Sequence, residues 1–279
     1  MSVPAVQHAE RSSLKASAEL APSASSTALK ALRVLETVAA EPRALSLAEV
    51  AGRVGLNKSA AHRMLATLMA AGYVRQDGHS RRYSLSYRVV SLSRNLLAED
   101  EVMHLARATL EDLAAETGEG IHLAMLDGME TVLVQRVKGA RIVAVDFQVG
   151  DRSQLHCTSI GKALLAYQPP ETVDEVIARG LPARTPNTIT QPDALRHELR
   201  SIRARGYAVD DREMYEDMRC LAVPVFERDT PVRMGISCSG PAARFTLEHL
   251  DKLREPLLRA SRELSAKLGG RAPGGDPEA

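Results

Sequence analysis

Residues 46–72, SLAEVAGRVGLNKSAAHRMLATLMAAG, admit few structures other than two short helices meeting at a tight turn. Ser46 and Glu49 form an S-x-x-E capping box, which satisfies free backbone N–H groups at a helix start. Leu47, Val50, Ala51 and Val54 follow as the apolar residues of that first helix. Gly55 supplies the turn and Leu56 an apolar plug. Asn57 offers a side-chain oxygen to a second helix that runs to about Ala71, before Gly72. In this second helix Ala61, Met64, Leu65 and Leu68 recur at the 3.6-residue period and face inward. Ser59, Ala60, His62 and Arg63 are left facing out or on the border.

A helix that opens with small side chains and one long Arg fits the floor of a DNA major groove. Arg reads guanine O6/N7 or grips phosphate, and Ser and His can do either. The same pattern suits a solvated helix face, so the flanking sequence decides. Upstream, Thr27 can cap a helix whose stripe is Leu29, Leu32, Val34, Leu35 and Val38. Downstream, YVRQDGHSRRYSLS reads as two short strands around Asp77-Gly78, with Arg81 and Arg82 at the returning edge. Three helices and a basic hairpin make a winged helix-turn-helix, whose wing would lie along phosphates or reach the minor groove. The bland alternative for the hairpin is a solubilising turn.

Charge separates these readings. The chain has 36 Lys+Arg against 35 Asp+Glu, a net +1. Residues 27–90 hold ten basic and four acidic side chains, a net +6, while residues 1–26 balance, leaving −5 for residues 91–279. A basic small domain attached to an acidic larger one is expected when only the first meets a polyanion. The DNA-binding candidates are Ser46, Asn57, Lys58, Ser59, Ala60, His62, Arg63, Arg81 and Arg82.

Beyond the wing, residues 86–118 carry apolar residues at helical spacing with no Pro or Gly until Gly118, a helical connector that could transmit a movement. GIHLAMLDGMETVLVQRVKG then reads as a hairpin around Asp127-Gly128, and RIVAVDFQVG as a third strand. Helices near 159–167, 171–179 and 192–205, strands at GYAVDD, RCLAVPVF and VRMGISCSG, and a last helix from Leu247 to about Leu268 complete an α+β pattern. The domains expected are a disordered segment 1–26, a winged helix-turn-helix 27–88, a linker helix 89–98, an effector-binding domain 99–269 and a disordered tail 270–279. No stretch approaches a membrane span, residues 1–26 lack the apolar run of a signal peptide, and three widely spaced cysteines suit a reducing cytoplasm.

The stretches LSLAEVAGRVGLNKSAAHRMLATLMAAGYV, HCTSIGKALLA, NTIT, ELRSIRARGYAVDD, RCLAVPV and SGPAARFT, in this order, resemble the isocitrate lyase regulator (IclR) family of bacterial transcriptional regulators. The resemblance spans residues 28–268 nearly throughout. It implies a winged-helix domain, a linker helix and a GAF-like effector-binding domain, assembled as a dimer or dimer of dimers without enzymatic activity. Enzyme motifs give no match: GISCSG is Gly-x-Ser-x-x-Gly rather than a nucleophile elbow, and IGKAL lacks the earlier glycine of a phosphate loop. His156-Cys157 has no C-x-x-C or H-x-x-x-H around it, so no metal or cofactor is expected. The alternative is an enzyme of small carbonyl or carboxylate substrates with an appended winged helix, which a turnover assay would separate.

Alternation places Ser237 and Ser239 on one sheet face, with Ile236 and Cys238 on the other; Cys220, Ala222 and Pro224 likewise share a face. Thr158 or Ser159 can cap the helix SIGKALLAY, whose N–H groups at Ser159, Ile160 and Gly161 would suit a carboxylate. The resemblance carries effector contacts onto Ser159, Ile160, Asp210, Met218, Cys220, Ser237 and Ser239. Asp217 stands where the family often has Gly, and a carboxylate there repels a dianionic ligand unless it faces solvent. The partners expected are double-stranded DNA with a near-palindromic operator, a small carboxylate or hydroxy acid, and further copies of the chain, with no membrane.

Overall fold

The computed structural model describes residues 25–97, 101–140, 147–228 and 231–271. The chain forms two compact units that divide between Asp100 and Glu101. In the first unit α1 (Ser26–Ala39), α2 (Leu47–Val54) and α3 (Lys58–Ala70) precede a hairpin of β1 (Val74–Gln76) and β2 (Tyr83–Leu85). Val34, Val38, Leu45, Val50, Leu65, Leu68, Val74 and Tyr83 form its core; α2 and α3 contribute the stripes that their periodicity announces, whereas α1 contributes Val34, Val38 and the partly buried Leu35 and leaves the expected Leu32 facing out at 53% exposure.

Helix ends follow local chemistry. Ser46 Oγ accepts from Glu49 N at 3.3 Å while Ser46 N donates to Glu49 Oε2 at 2.8 Å, completing the capping box. Gly55 ends α2 at φ +71°, a conformation that side chains with a Cβ avoid, and Asn57 Oδ1 accepts from Ala60 N at 2.8 Å to start α3. The cap of α1 differs from the expectation: Ser25 holds it, accepting from Ala28 N, and Thr27 lies within the first turn. Ser25 and Ser26 thus belong to the folded unit rather than to a disordered segment 1–26, of which residues 1–24 lie outside the described residues. The connector is α4 (Arg88–Leu97) and α5 (Glu101–Thr117); residues 98–100, where their continuity would be decided, are also outside the described residues.

The second unit is one antiparallel sheet with helices on both faces. Its strands are β3 (Ile121–Asp127), β4 (Glu130–Val137), β5 (Arg152–Gln154), β6 (Ala208–Asp211), β7 (Met218–Val225) and β8 (Met234–Pro241), in the order β5-β4-β3-β8-β7-β6. The strand expected in RIVAVDFQVG falls largely on residues 141–146, outside the described residues; among the described residues β5 pairs with the start of β4. One sheet face packs Ile121, Leu123, Leu221, Val223, Ile236 and Cys238 against α5 and α9 (Leu247–Lys267). The other face carries Ala124, Ala208 and Ala222 beneath α6 (Ser159–Leu165), α7 (Pro170–Ala178) and α8 (Pro192–Arg205). At the end of α9 the chain turns at Gly269 (φ +72°) and returns to pair with Glu227, so Gly269 and the buried Gly270 are part of the fold, and the expected tail starts one residue too early.

Candidate functional site

In the first unit, the start of α3 and the wing come together. Lys58, Ser59, His62 and Arg63 are exposed and Ala60 half-buried. Lys58, His62, Ser46, Gln76, Ser80 and Arg81 line a cleft of about 360 Å³ that joins α2, α3 and the wing. Ser46 and Asn57 are caps whose oxygens are committed to backbone N–H groups, so they shape this surface by fixing helix ends. The two wing arginines have different partners. Arg81 adopts φ +56° at the tip of a turn in which Asp77 Oδ1 accepts from Ser80 N at 2.7 Å. Arg82 turns back: its Nη1 donates to Ala44 O at 3.1 Å and to Glu49 Oε2 at 3.0 Å. Glu49 also accepts from Arg43 Nη2 at 2.7 Å, and the Arg43 bond followed by those from Ser46 holds its carboxyl far below the usual range. One carboxylate therefore ties α2, the wing and the preceding loop together.

In the second unit, the polar residues expected to meet do so on one sheet face. Asp210, Cys220 and Ser239 stand opposite one another across β6, β7 and β8, and the next row is Ala208, Ala222, Ser237 and His122. Directly opposed residues share a face, so the register rather than the alternation of any one strand assembles this patch. Ser159, Ile160, Asp210, Met218, Cys220, Ser237 and Ser239 are all buried. Asp210 Oδ1 accepts from Glu213 N at 2.7 Å, while Oδ2 has no partner among the described residues. Burial foremost pushes the Asp210 carboxyl up to about 7.

Thr158, not Ser159, caps α6: its Oγ1 accepts from Gly161 N at 3.1 Å and donates to Gln154 O at 2.7 Å. The Gly161 N–H is thereby committed, and a ligand at this helix start would meet Ser159 and Ile160. Gly161 itself lies so close to the preceding strand that an added Cβ would sit 2.5 Å from Gln154 O. Asp217 is exposed, which removes the objection to an anionic ligand raised by its position.

Two buried residues beside this face, Lys162 and His122, went unnoticed as site residues in the sequence. Lys162, 1% exposed, is bonded to Glu213, whose carboxyl is raised by burial. His122 completes the row beside Ser237. A signal existed for each, since Lys162 is the one charge in SIGKALL and His122 the one polar residue among I-H-L-A-M-L. His156 bonds Pro182 O through Nε2 at 3.1 Å, and burial drives the Cys157 thiol up to about 12, which makes it a poor nucleophile.

Residues 27–78 match the family model of the IclR helix-turn-helix domain, and residues 94–266 that of the bacterial transcriptional regulator IclR C-terminal domain. The chain belongs to the IclR family. It is similar to the HTH-type transcriptional regulator KdgR of Escherichia coli (strain K12), 34% identical over 250 residues that cover 89% of this chain and 94% of that relative. The crystal structure of the Thermotoga maritima IclR is similar at TM-score 0.71 and 32% identity, covering 87% of this chain and 98% of that one. An IclR homologue from Microbacterium hydrocarbonoxydans, solved in complex with 4-hydroxybenzoate, aligns at TM-score 0.70 and 26% identity over 86% of this chain and all of that one (100%). IclR proteins are transcriptional regulators, not enzymes, and this chain is a regulator with a helix-turn-helix DNA-binding domain and an effector-binding C-terminal domain. Among the described residues no helix is long and apolar enough to cross a membrane.

Proposed function

We propose that this IclR regulator binds a small carboxylate or hydroxy acid on the Asp210–Cys220–Ser239 face and that the acid changes its affinity for a near-palindromic operator. The observation that carries the reading is the unpartnered Oδ2 of the fully buried Asp210, on the sheet face that also holds Cys220, Ser237 and Ser239. A buried polar atom without a partner is unfavourable unless something else supplies the bond. Ser159 at the start of α6 bonds Cys220, Ile160 follows it, and the buried Met218 lies two residues from Cys220 on the same face of β7. The homologue bound to 4-hydroxybenzoate supports an acid as the ligand class.

On the DNA side, Lys58, Ser59, Ala60, His62 and Arg63 enter the major groove, Arg81 holds phosphate, and Ser46 and Asn57 set the helix ends. One such helix covers few base pairs, so two linked copies are needed for useful affinity at physiological salt. Tyr87, Val90 and Leu92 at the α4 connector are 83%, 64% and 60% exposed, an apolar surface suited to a second copy of the chain in a dimer or dimer of dimers. Residues 25–88 read DNA, 89–98 link, and 99–270 receive the effector, with the cytoplasm as the setting. A thermal-shift screen of small organic, sugar and aromatic acids tests the effector half, because a ligand that binds the folded state raises its melting temperature. A screen in which no acid shifts the wild-type protein contradicts the reading.

A further inference from the structure

His122 stands directly opposite Ser237 on β8 and Arg136 on β4. Its imidazole therefore projects from the sheet face that holds Ser237, Ser239 and Asp210. It is 6% exposed, and its Nδ1 has no hydrogen-bond partner among the described residues. The Phe147 ring meets it edge-on at a centroid distance of 5.5 Å. Burial, then the Arg136 charge, holds its pKa down to about 4, so the ring is neutral and presents one donor and one acceptor. Its neighbours on this face of the sheet include Ala124 and Ala222, which offer it no polar contact. An apolar side chain would fill the space without an orphaned nitrogen, so the fold alone gives no reason for a histidine at this position.

We propose that His122 is a specificity-determining residue of the effector pocket: through Nδ1 it bonds an oxygen at the end of the effector away from the carboxylate, selecting hydroxy acids and dicarboxylic acids over plain monocarboxylic ones. The inference rests on the pocket reading above. Ser239 lies diagonally across from His122, about 7–8 Å away, so an acid whose carboxylate sits against Ser239 reaches His122 with a chain of roughly four carbons or an aromatic ring. Acids of two or three carbons fall short. Arg136, whose guanidinium also bonds the Phe147 carbonyl, adds positive potential on that side and favours an anionic or electron-rich far end.

Calorimetric titration of the full chain with matched probes tests this: butanoate against 4-hydroxybutanoate and succinate, and benzoate against 4-hydroxybenzoate. In the wild-type protein at least one oxygen-bearing acid binds at least about tenfold tighter than its bare partner. His122→Leu narrows that ratio to within about twofold, and the unliganded variant melts at or above the wild-type temperature because the orphaned nitrogen is gone. His122→Gln, which keeps a donor and an acceptor, recovers part of the preference. Ser237→Ala with Ser239→Ala weakens every probe alike. A preference that survives His122→Leu, a wild-type protein indifferent to the far oxygen, or a Leu variant that melts well below wild type overturns the inference. In those cases the acid pocket stands so long as the serine pair weakens binding. If no probe binds, the acid-pocket reading falls and takes the inference with it.

Discussion

Arg81 and Arg82 are adjacent in the wing yet take opposite directions, and that difference sets what each substitution does. Arg82 donates to Glu49 and to the Ala44 carbonyl, so Arg82→Ala should loosen the wing. Since its side chain is 41% exposed, the loss of stability should be only about 0.5–1 kcal/mol, measurable by urea unfolding of the full chain. Arg81→Ala should leave stability nearly unchanged and reduce the slope of log affinity against log salt by about one phosphate contact. Arg63→Ala should cost about 1–3 kcal/mol of DNA affinity and blur the sequence preference, which footprinting on variant operators would reveal; unchanged affinity and preference would remove α3 from the reading role. Basic residues at a hairpin tip are legible in sequence, but which one turns inward is decided by a carboxylate 33 residues away. Asp210 yields a pH prediction. Its carboxyl, near 3.8 in an unfolded chain, is pushed up to about 7 when folded. Between about pH 4 and pH 7 the folded chain keeps a proton that the unfolded chain has lost, so this group lowers stability as pH rises through that window. Asp210→Asn keeps the bonds from the Glu213 and Met214 N–H groups and removes that dependence. Relative to wild type it should gain stability of the order of 2–3 kcal/mol between pH 5 and pH 7.5.

The elements whose ends are marked by their own side chains were the ones the sequence located best. The capping box at Ser46 and Glu49, the αL residue Gly55 and the Asn57 cap fixed α2 and α3 to within a residue, because each acts over three or four positions. Where two hydroxyls competed, local reasoning could not choose: Ser25 rather than Thr27 caps α1, and Thr158 rather than Ser159 caps α6. Ser46→Ala should cost about 1 kcal/mol, because it opens the capping box that also carries Arg82 through Glu49. The packing of α6 was not legible at all. Gly161 reads as an ordinary helix residue, yet its missing Cβ is what lets α6 lie on Gln154 and Leu155 at the end of β5. Gly161→Ala should destabilise the chain by about 1–3 kcal/mol and displace Ser159 and Ile160 from the polar face, lowering acid affinity as well as melting temperature. The effector face shows the same limit. Alternation within β7 and β8 gave the facing of Cys220, Ser237 and Ser239, but only the register across four strands adds His122 and sets Asp210 beside Cys220.

At the scale of the whole molecule, a basic unit of residues 27–90 at +6 and an acidic remainder at −5 divide the work between a polyanion and a small ligand. That division was readable from composition; how the ligand is answered by DNA was not, because coupling depends on two arrangements of the assembled chain rather than on any local pattern. A ligand shifts DNA affinity only by as much as it prefers one arrangement, which is typically about 1–3 kcal/mol or a five- to 150-fold change. The most direct test is fluorescence anisotropy of operator DNA, enriched from random duplexes, titrated with the full chain at fixed salt. It is run with and without a saturating acid taken from the thermal-shift screen. In the wild-type protein the acid should change the operator dissociation constant at least about fivefold. Ser237→Ala with Ser239→Ala should keep the unliganded constant within about twofold of wild type while abolishing the acid's effect. A serine variant that responds to the acid like wild type, or a bound acid that leaves wild-type DNA affinity unchanged, would contradict the assignment of the Asp210–Cys220–Ser239 face as the switch.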